Sequence, residues 1–139
     1  MAGIPRAARA RLAGALSVER LALARAAAGV SLITQPRALP RVLGVDSAAA
    51  GRMAWATQML GAREVALGLG AFVALRRPDA RAARLWLLAG LLSDGVDALA
   101  VGAAVVQGRV SKVTGPVLVG IAGGAVAAQL DALQAADDA

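Results

Sequence analysis

The sequence predicts an all-α protein, an integral membrane bundle of four transmembrane helices. Hydrophobic residues make up 58% of the 139 residues and the mean hydropathy is +0.64, more apolar material than a soluble domain of this size can bury. The apolar residues form long runs separated by short stretches rich in Arg, Pro and Gly. A soluble, alanine-rich helical bundle is the alternative, and the length of the apolar runs weighs against it.

The composition also limits the chemistry. The chain has no Cys, His or Tyr, which excludes disulfides, thiolate and imidazole metal ligands and the commonest general base. We therefore predict no cofactor and no metal. The net charge is +6, but the basic residues lie between apolar runs and suit anionic lipid head groups better than nucleic acid. Arg outnumbers Lys in an Ala, Gly and Val background, which indicates a bacterial protein with a high-GC coding bias.

Four spans are predicted, and the first is the weakest prediction. Residues 17–34 are short for a span and hold Glu19, Arg20 and Arg25, so they do not form the uncharged core of a signal peptide. Residues 35–52 contain two prolines and are predicted as a loop or a surface helix. The predicted order is a basic arm at 1–16, spans at 17–34, 53–75, 80–107 and 113–130, and an acidic tail at 131–139, with Asp79 capping the third helix.

The distribution of basic residues predicts the orientation. With the N-terminus inside, seven Lys or Arg residues lie near the inner membrane face and five near the outer face, which favours cytoplasmic termini in the bacterial plasma (inner) membrane. The difference is small, so insertion in both orientations stays open.

Charged residues inside the predicted spans converge on one depth. Arg63 lies about 12 Å past Trp55 at 1.5 Å per residue, and Glu64 follows it. Asp94 and Asp97 lie about 12 and 16 Å past Trp86 in the next, antiparallel span, where Trp86 marks the opposite face. In a hydrocarbon core of about 30 Å, all four meet near the midplane. Arg25, near the middle of the first span, is predicted to join this cluster.

The spacing suggests how these groups pair. Asp94 and Asp97 share a helix face, so Arg63 is predicted to bridge both. Glu64 points about 100° away from Arg63 and is predicted to turn toward Arg25. The formal charge of −1 favours protonation of one carboxyl, Asp97 or Glu64. An ion-pair network that fixes helix packing and a functional polar site are both compatible with this pattern.

Small residues predict close helix packing. Three spans each contain a pair of small residues on one helix face, a pattern typical of helix contacts in membranes. The pairs are Gly61 with Gly68, Ala98 with Gly102, and Gly120 with Gly124.

Three motifs resemble a group of small bacterial four-helix membrane proteins that are classified as a domain of unknown function and are distantly similar to DoxX-like proteins. The motifs are GARE at residues 61–64, GLG at 68–70 and SDGVD at 93–97. The resemblance covers roughly residues 17–130. It implies a four-helix bundle with an Arg and acid centre, and no established activity.

Three functions remain open at this point. The first is a structural or partner-binding membrane module that associates with itself or with another membrane protein. The second is a proton-coupled transporter subunit in which Glu64, Asp94 or Asp97 exchanges protons. The third is a membrane enzyme that opens an epoxide or isomerises a lipophilic substrate or ligand, with Arg63, Glu64, Asp94 and Asp97 as candidate catalytic residues.

Overall fold

The computed structural model describes residues 6–137, and the side chains of residues 18–134. The part of the chain within these limits forms six helices and no strand, which confirms the all-α prediction. Four of the helices are long and two are short, so the predicted simple four-helix bundle is only partly reproduced. The helices are α1 (Arg6–Thr34), α2 (Ala38–Val42), α3 (Ser47–Arg52), α4 (Ala54–Leu75), α5 (Ala80–Val106) and α6 (Thr114–Asp137).

Three helices are long and apolar enough to cross a membrane: α4, α5 and the Thr114–Gln134 part of α6. Large apolar side chains on these helices lie exposed, including Leu99 at 77% and Val106 at 88%. Such faces are suited to lipid rather than water, which indicates a membrane protein. Helix α1 is not in this set, and it carries Glu19, Arg20 and Arg25 along its length.

The long helices form two closely packed pairs, α1 with α4 and α5 with α6. The two pairs meet mainly along α4 and α5, where contacts are fewer. Glycine allows the first pair to approach at backbone distance: a Cβ atom on Gly61 would lie 2.7 Å from the Gly29 carbonyl oxygen, and one on Gly68 would lie 2.6 Å from that of Ala22. The predicted close packing at Gly61 and Gly68 is thus present, with α1 as the partner.

The other small-residue pairs do not make close contacts within the described residues. A Cβ atom on Gly102, Gly120 or Gly124 would have no atom within 4 Å. Gly120 and Gly124 lie on an exposed face of α6. The close contact predicted from their spacing is therefore not made inside this part of the chain.

Helix ends and connections agree with most of the predicted boundaries. Asp79 accepts a hydrogen bond from the Ala82 amide at 3.0 Å, which confirms the predicted cap of α5. Residues 35–52, predicted as a loop or a surface helix, contain the helices α2 and α3, which are too short to form a span. Helix α1 begins earlier than predicted, inside the basic arm, and α6 continues through much of the acidic tail. The rest of those two segments, residues 1–5 and 138–139, lies outside the described residues.

The two tryptophan side chains mark opposite ends of α4, although Trp86 belongs to α5. Trp55 is near its start, and the ring of Trp86 packs against Gly70 near its end. Fifteen residues separate these levels, which corresponds to about 22 Å along the helix. Arg63 lies halfway between them, so the structure places it at mid-depth in any membrane whose faces the tryptophans mark.

Candidate functional site

Arg25 lies at the centre of a cluster that joins α1, α4 and α5. Its two terminal nitrogens donate to both oxygens of Asp94, at 2.9 and 2.8 Å. Nη2 also donates to Glu64 at 3.2 Å, and Nε lies 2.7 Å from Glu64 Oε2 in an ion-pair contact that lacks hydrogen-bond angles. The side chains of Arg25, Glu64 and Asp94 are only 13, 15 and 11% exposed. Arg25 is thus a buried cation with two carboxylate partners, each on another helix.

Arg63 forms the second half of the cluster. Its Nη1 donates to Asp97 at 3.3 Å, and Nη2 makes a short contact with the other oxygen of the same carboxylate. Nε and Nη2 also donate to Oε1 of Glu64, both at 3.2 Å. Because Glu64 contacts both arginines, it links the two halves into one network of five charges.

The prediction that Arg63 bridges Asp94 and Asp97 is wrong. Arg63 binds Asp97, whereas Asp94 binds Arg25. The two aspartates are three residues apart and so differ by about 60° around α5. That rotation turns Asp94 into the buried interior toward α1, while Asp97 stays beside α4.

The predicted pairing of Glu64 with Arg25 is present, but Glu64 is not exclusive to that residue. Arg63 is adjacent in sequence and starts from a different helix face, yet its long side chain reaches back to Glu64. The structure therefore brings all five predicted residues together, with different partners from those expected.

Gln129 on α6 is a member of the cluster that the sequence analysis missed. Its Nε2 donates to Asp94 Oδ2 at 2.7 Å and to the Ala125 carbonyl at 3.1 Å, and the residue is 4% exposed. The available signal was a single amide in an otherwise uncharged span. A span that ends at residue 130 puts Gln129 in its last turn, away from the predicted level of the charge cluster.

A small cavity lies on the Trp86 side of the cluster. The centre of a water-sized sphere can occupy about 30 Å³ of it. Arg25 and Gln129 are polar residues in its lining. The remaining lining is apolar and includes Leu21, Leu67 and Trp86. A water needs about 10–15 Å³ by this measure, so the cavity has room for about two waters.

Known proteins provide no assignment for this arrangement. No family model, no curated protein and no solved structure matches the chain. The resemblance to DoxX-like membrane proteins therefore stays a prediction, and function has to be argued from the geometry.

The cluster has limited chemical options. It contains three carboxylates and two guanidiniums, a formal charge of −1, and each carboxylate contacts at least one arginine. No group of three or more carboxylates in the described part of the chain is arranged to hold a metal ion. The arrangement is suited to holding helices together.

Proposed function

We propose that this chain is a non-enzymatic four-span membrane module whose cluster of five charges locks two helix pairs into one bundle. We place it in the bacterial plasma membrane with both termini in the cytoplasm, as the distribution of basic residues favours. The resemblance to four-helix membrane proteins of unknown function supports the same arrangement.

The fourth span in this proposal is α1. Its packing along α4 is as close as backbone atoms allow, at Gly29 against Gly61 and at Ala22 against Gly68. Arg25 lies between these contacts and is neutralised by carboxylates on α4 and α5. A charge that would oppose insertion of α1 alone is compensated when it packs beside its partners.

The observation that carries the proposal is where the ion pairs lie. Contacts between the helix pairs are sparse, and the ion pairs supply specific links between them. Arg25 links α1 to Asp94 on α5, and Arg63 links α4 to Asp97, which is also on α5. Gln129 then holds Asp94 from α6. All four long helices therefore converge on one polar network, which fixes their relative register.

The test compares a broken pair with a removed pair. Arg63→Met leaves Asp97 without its arginine, at a depth where an unpaired Asp costs about 2.5–3.5 kcal/mol. We expect this variant to lose most of its folded, monodisperse fraction in detergent. Arg63→Met with Asp97→Leu removes both charges and should recover it. Arg109→Met, in the exposed turn after α5, is the matched control.

Two results would contradict the proposal. One is normal folding of Arg63→Met alone, because the ion pair would then not hold the bundle. The other is a double variant that folds no better than the single variant, because the loss would then come from the missing arginine stem rather than from an unpaired carboxylate.

A second candidate function, proton-coupled transport, is favoured by one observation. The cavity places water-sized space beside Arg25 and Gln129, while Asp97 in the other half of the cluster is 37% exposed. Asp97 has a single arginine partner, whereas Glu64 has two. Asp97 is thus the carboxyl best placed to exchange a proton.

Proteoliposomes that enclose a pH-sensitive dye test this candidate. Asp97→Asn should abolish protein-dependent proton flux without loss of folding. The control is Asp46→Asn, because Asp46 lies outside the spans and Asn can also cap α3. This variant should leave the flux unchanged. Equal flux from both variants would exclude Asp97 from a proton path. The enzyme alternative gains no comparable support, because the cavity lies beside Arg25 rather than Arg63 and is too small for a lipid-like substrate.

A further inference from the structure

One side of the charge cluster reaches the surface of the chain. The side chains of Arg63 and Asp97 are 38 and 37% exposed, about three times the exposure of the other three charged residues. Around them lie the exposed residues Met59 and Ala66 on the Arg63 face of α4, and Ala100 one turn past Asp97 on α5. These five residues are called the Arg63–Asp97 face.

This face is costly to leave against lipid. Arg63 lies halfway between the levels of the two tryptophans, where the surrounding solvent would be hydrocarbon. Ionisable residues at that depth are found facing protein or water-filled space rather than acyl chains. The flanking residues are apolar, so the polar surface is a small patch within a lipid-compatible helix face. A protein surface of matching polarity is therefore needed to cover it.

The hydrogen bonds left open on this patch define what would cover it. Arg63 has five N–H donors, and within the described residues one hydrogen on Nη1 makes no bond. Each oxygen of Asp97 accepts one bond and keeps further acceptor capacity. A spare donor and a spare acceptor thus lie side by side at the surface. A two-fold axis through such a patch places each donor opposite the acceptor of the other copy, so the patch is complementary to itself.

We propose that two copies of this chain pack through the Arg63–Asp97 face about a two-fold axis in the membrane. Each Arg63 donates to the Asp97 of the other copy, and the small side chains of Ala66 and Ala100 allow the helices to approach closely. The inference names the partner of the module proposed above and rests on that proposal. The exposed glycine face of α6 lacks any charged group at this depth, so the same argument does not apply to it.

Engineered cysteines test the interface, since the natural chain has no cysteine. Ala66→Cys and Ala100→Cys place a thiol on the proposed interface. Ala28→Cys and Ala127→Cys are matched controls, because both are exposed alanines within three residues of Arg25 or Gln129 on the other two helices. Each single-cysteine variant is expressed separately, and the membranes that contain it are treated with a short bis-maleimide. Ala127 also lies on the face of Gly120 and Gly124, so it monitors the rival α6 contact.

The expected result is a cross-linked dimer for Ala66→Cys and Ala100→Cys, at least tenfold more abundant than for the two controls. Adding Arg63→Met with Asp97→Leu to Ala100→Cys should reduce the dimer several-fold while the monomer stays folded. Equal cross-linking at all four positions, or cross-linking at Ala127 alone, would overturn the proposal. So would no cross-linking with strong labelling of Ala100→Cys by a water-soluble maleimide, because the face would then line a water-filled space.

Folding of each cysteine variant, measured by monodispersity in detergent, separates this outcome from a failure of the module itself. A folded chain that forms no dimer overturns only the two-fold contact.

Discussion

Replacing Arg25 with Met removes the cation that contacts two buried carboxylates. Arg25 holds Asp94 through bonds of 2.9 and 2.8 Å and Glu64 through a contact of 2.7 Å. Removal of one partner from a buried ion pair costs about 3–5 kcal/mol, because the charge left behind stays out of water. Gln129 still donates to Asp94, so this carboxylate keeps one hydrogen bond in the variant. The unfolding equilibrium constant should therefore rise roughly 100- to 5,000-fold.

The assay is reversible unfolding in mixed micelles, followed by far-UV circular dichroism as the fraction of denaturing detergent rises. Arg76→Met is the matched control, since its guanidinium is 3.9 Å from Glu19, is 63% exposed and also stacks on Phe72. An exposed pair and an exposed cation–π contact together are worth at most about 2 kcal/mol. The difference in the free energy of unfolding between Arg25→Met and Arg76→Met measures how much burial adds to the contribution of an ion pair.

A triple variant distinguishes charge from packing. Arg25→Met combined with Glu64→Gln and Asp94→Asn leaves no unpaired charge from this half of the cluster, and we expect it to recover most of the lost stability. The reasoning would be refuted by a loss for Arg25→Met no larger than that for Arg76→Met. A triple variant as unstable as Arg25→Met would refute it as well.

Three further outcomes are expected. Gly61→Ala should destabilise the protein by about 1–3 kcal/mol in the same unfolding assay, since its Cβ would lie 2.7 Å from a backbone oxygen, whereas Gly124→Ala should cause no loss. Similar effects at both glycines would contradict the packing described. Gln129→Leu should cost about 1–2 kcal/mol, and a double-mutant cycle with Asp94→Asn should show that most of the cost depends on Asp94. The pKa of Asp46 is lowered, chiefly by the hydrogen bond from the Ala49 amide, so its cap of α3 is complete above the ordinary aspartate pKa and is lost as the pH falls through the lowered value. An NMR titration of the Asp46 carboxyl in detergent checks this, and an unshifted pKa would count against the cap.

Composition and spacing predicted the elements that depend on local chemistry. The bounds of α4 and α5 follow from apolar runs that end in charged or proline-containing turns, and the Asp79 cap follows from its position before α5. The convergence of Arg63, Glu64, Asp94 and Asp97 follows from counting residues from each tryptophan. These features need only the rise of a helix and the thickness of a bilayer.

The pairing within the cluster could not be predicted in the same way. Which arginine meets Asp94 depends on how α5 is rotated relative to α1, and that rotation is set by contacts distant in sequence. The level of Gln129 likewise depends on how far α6 extends, and the helix continues through Asp131 to Asp137 although the first acidic residue suggests an earlier end. Which glycine pairs are used depends on which helices become neighbours, so Gly61 and Gly68 in α4 make close contacts whereas Gly120 and Gly124 in α6 do not.

The separation of 69 positions between Arg25 and Asp94 has a consequence for biosynthesis. During synthesis, α1 emerges from the ribosome long before α5, and its arginine then has no carboxylate partner on a later helix. An unpaired Arg at the centre of a helix disfavours membrane insertion by about 2.5–3.5 kcal/mol. In the proposed four-span arrangement, α1 therefore stays at the membrane surface or the insertion machinery until α4 delivers Glu64. In that arrangement, membrane entry of the first helix would wait for the arrival of the later ones.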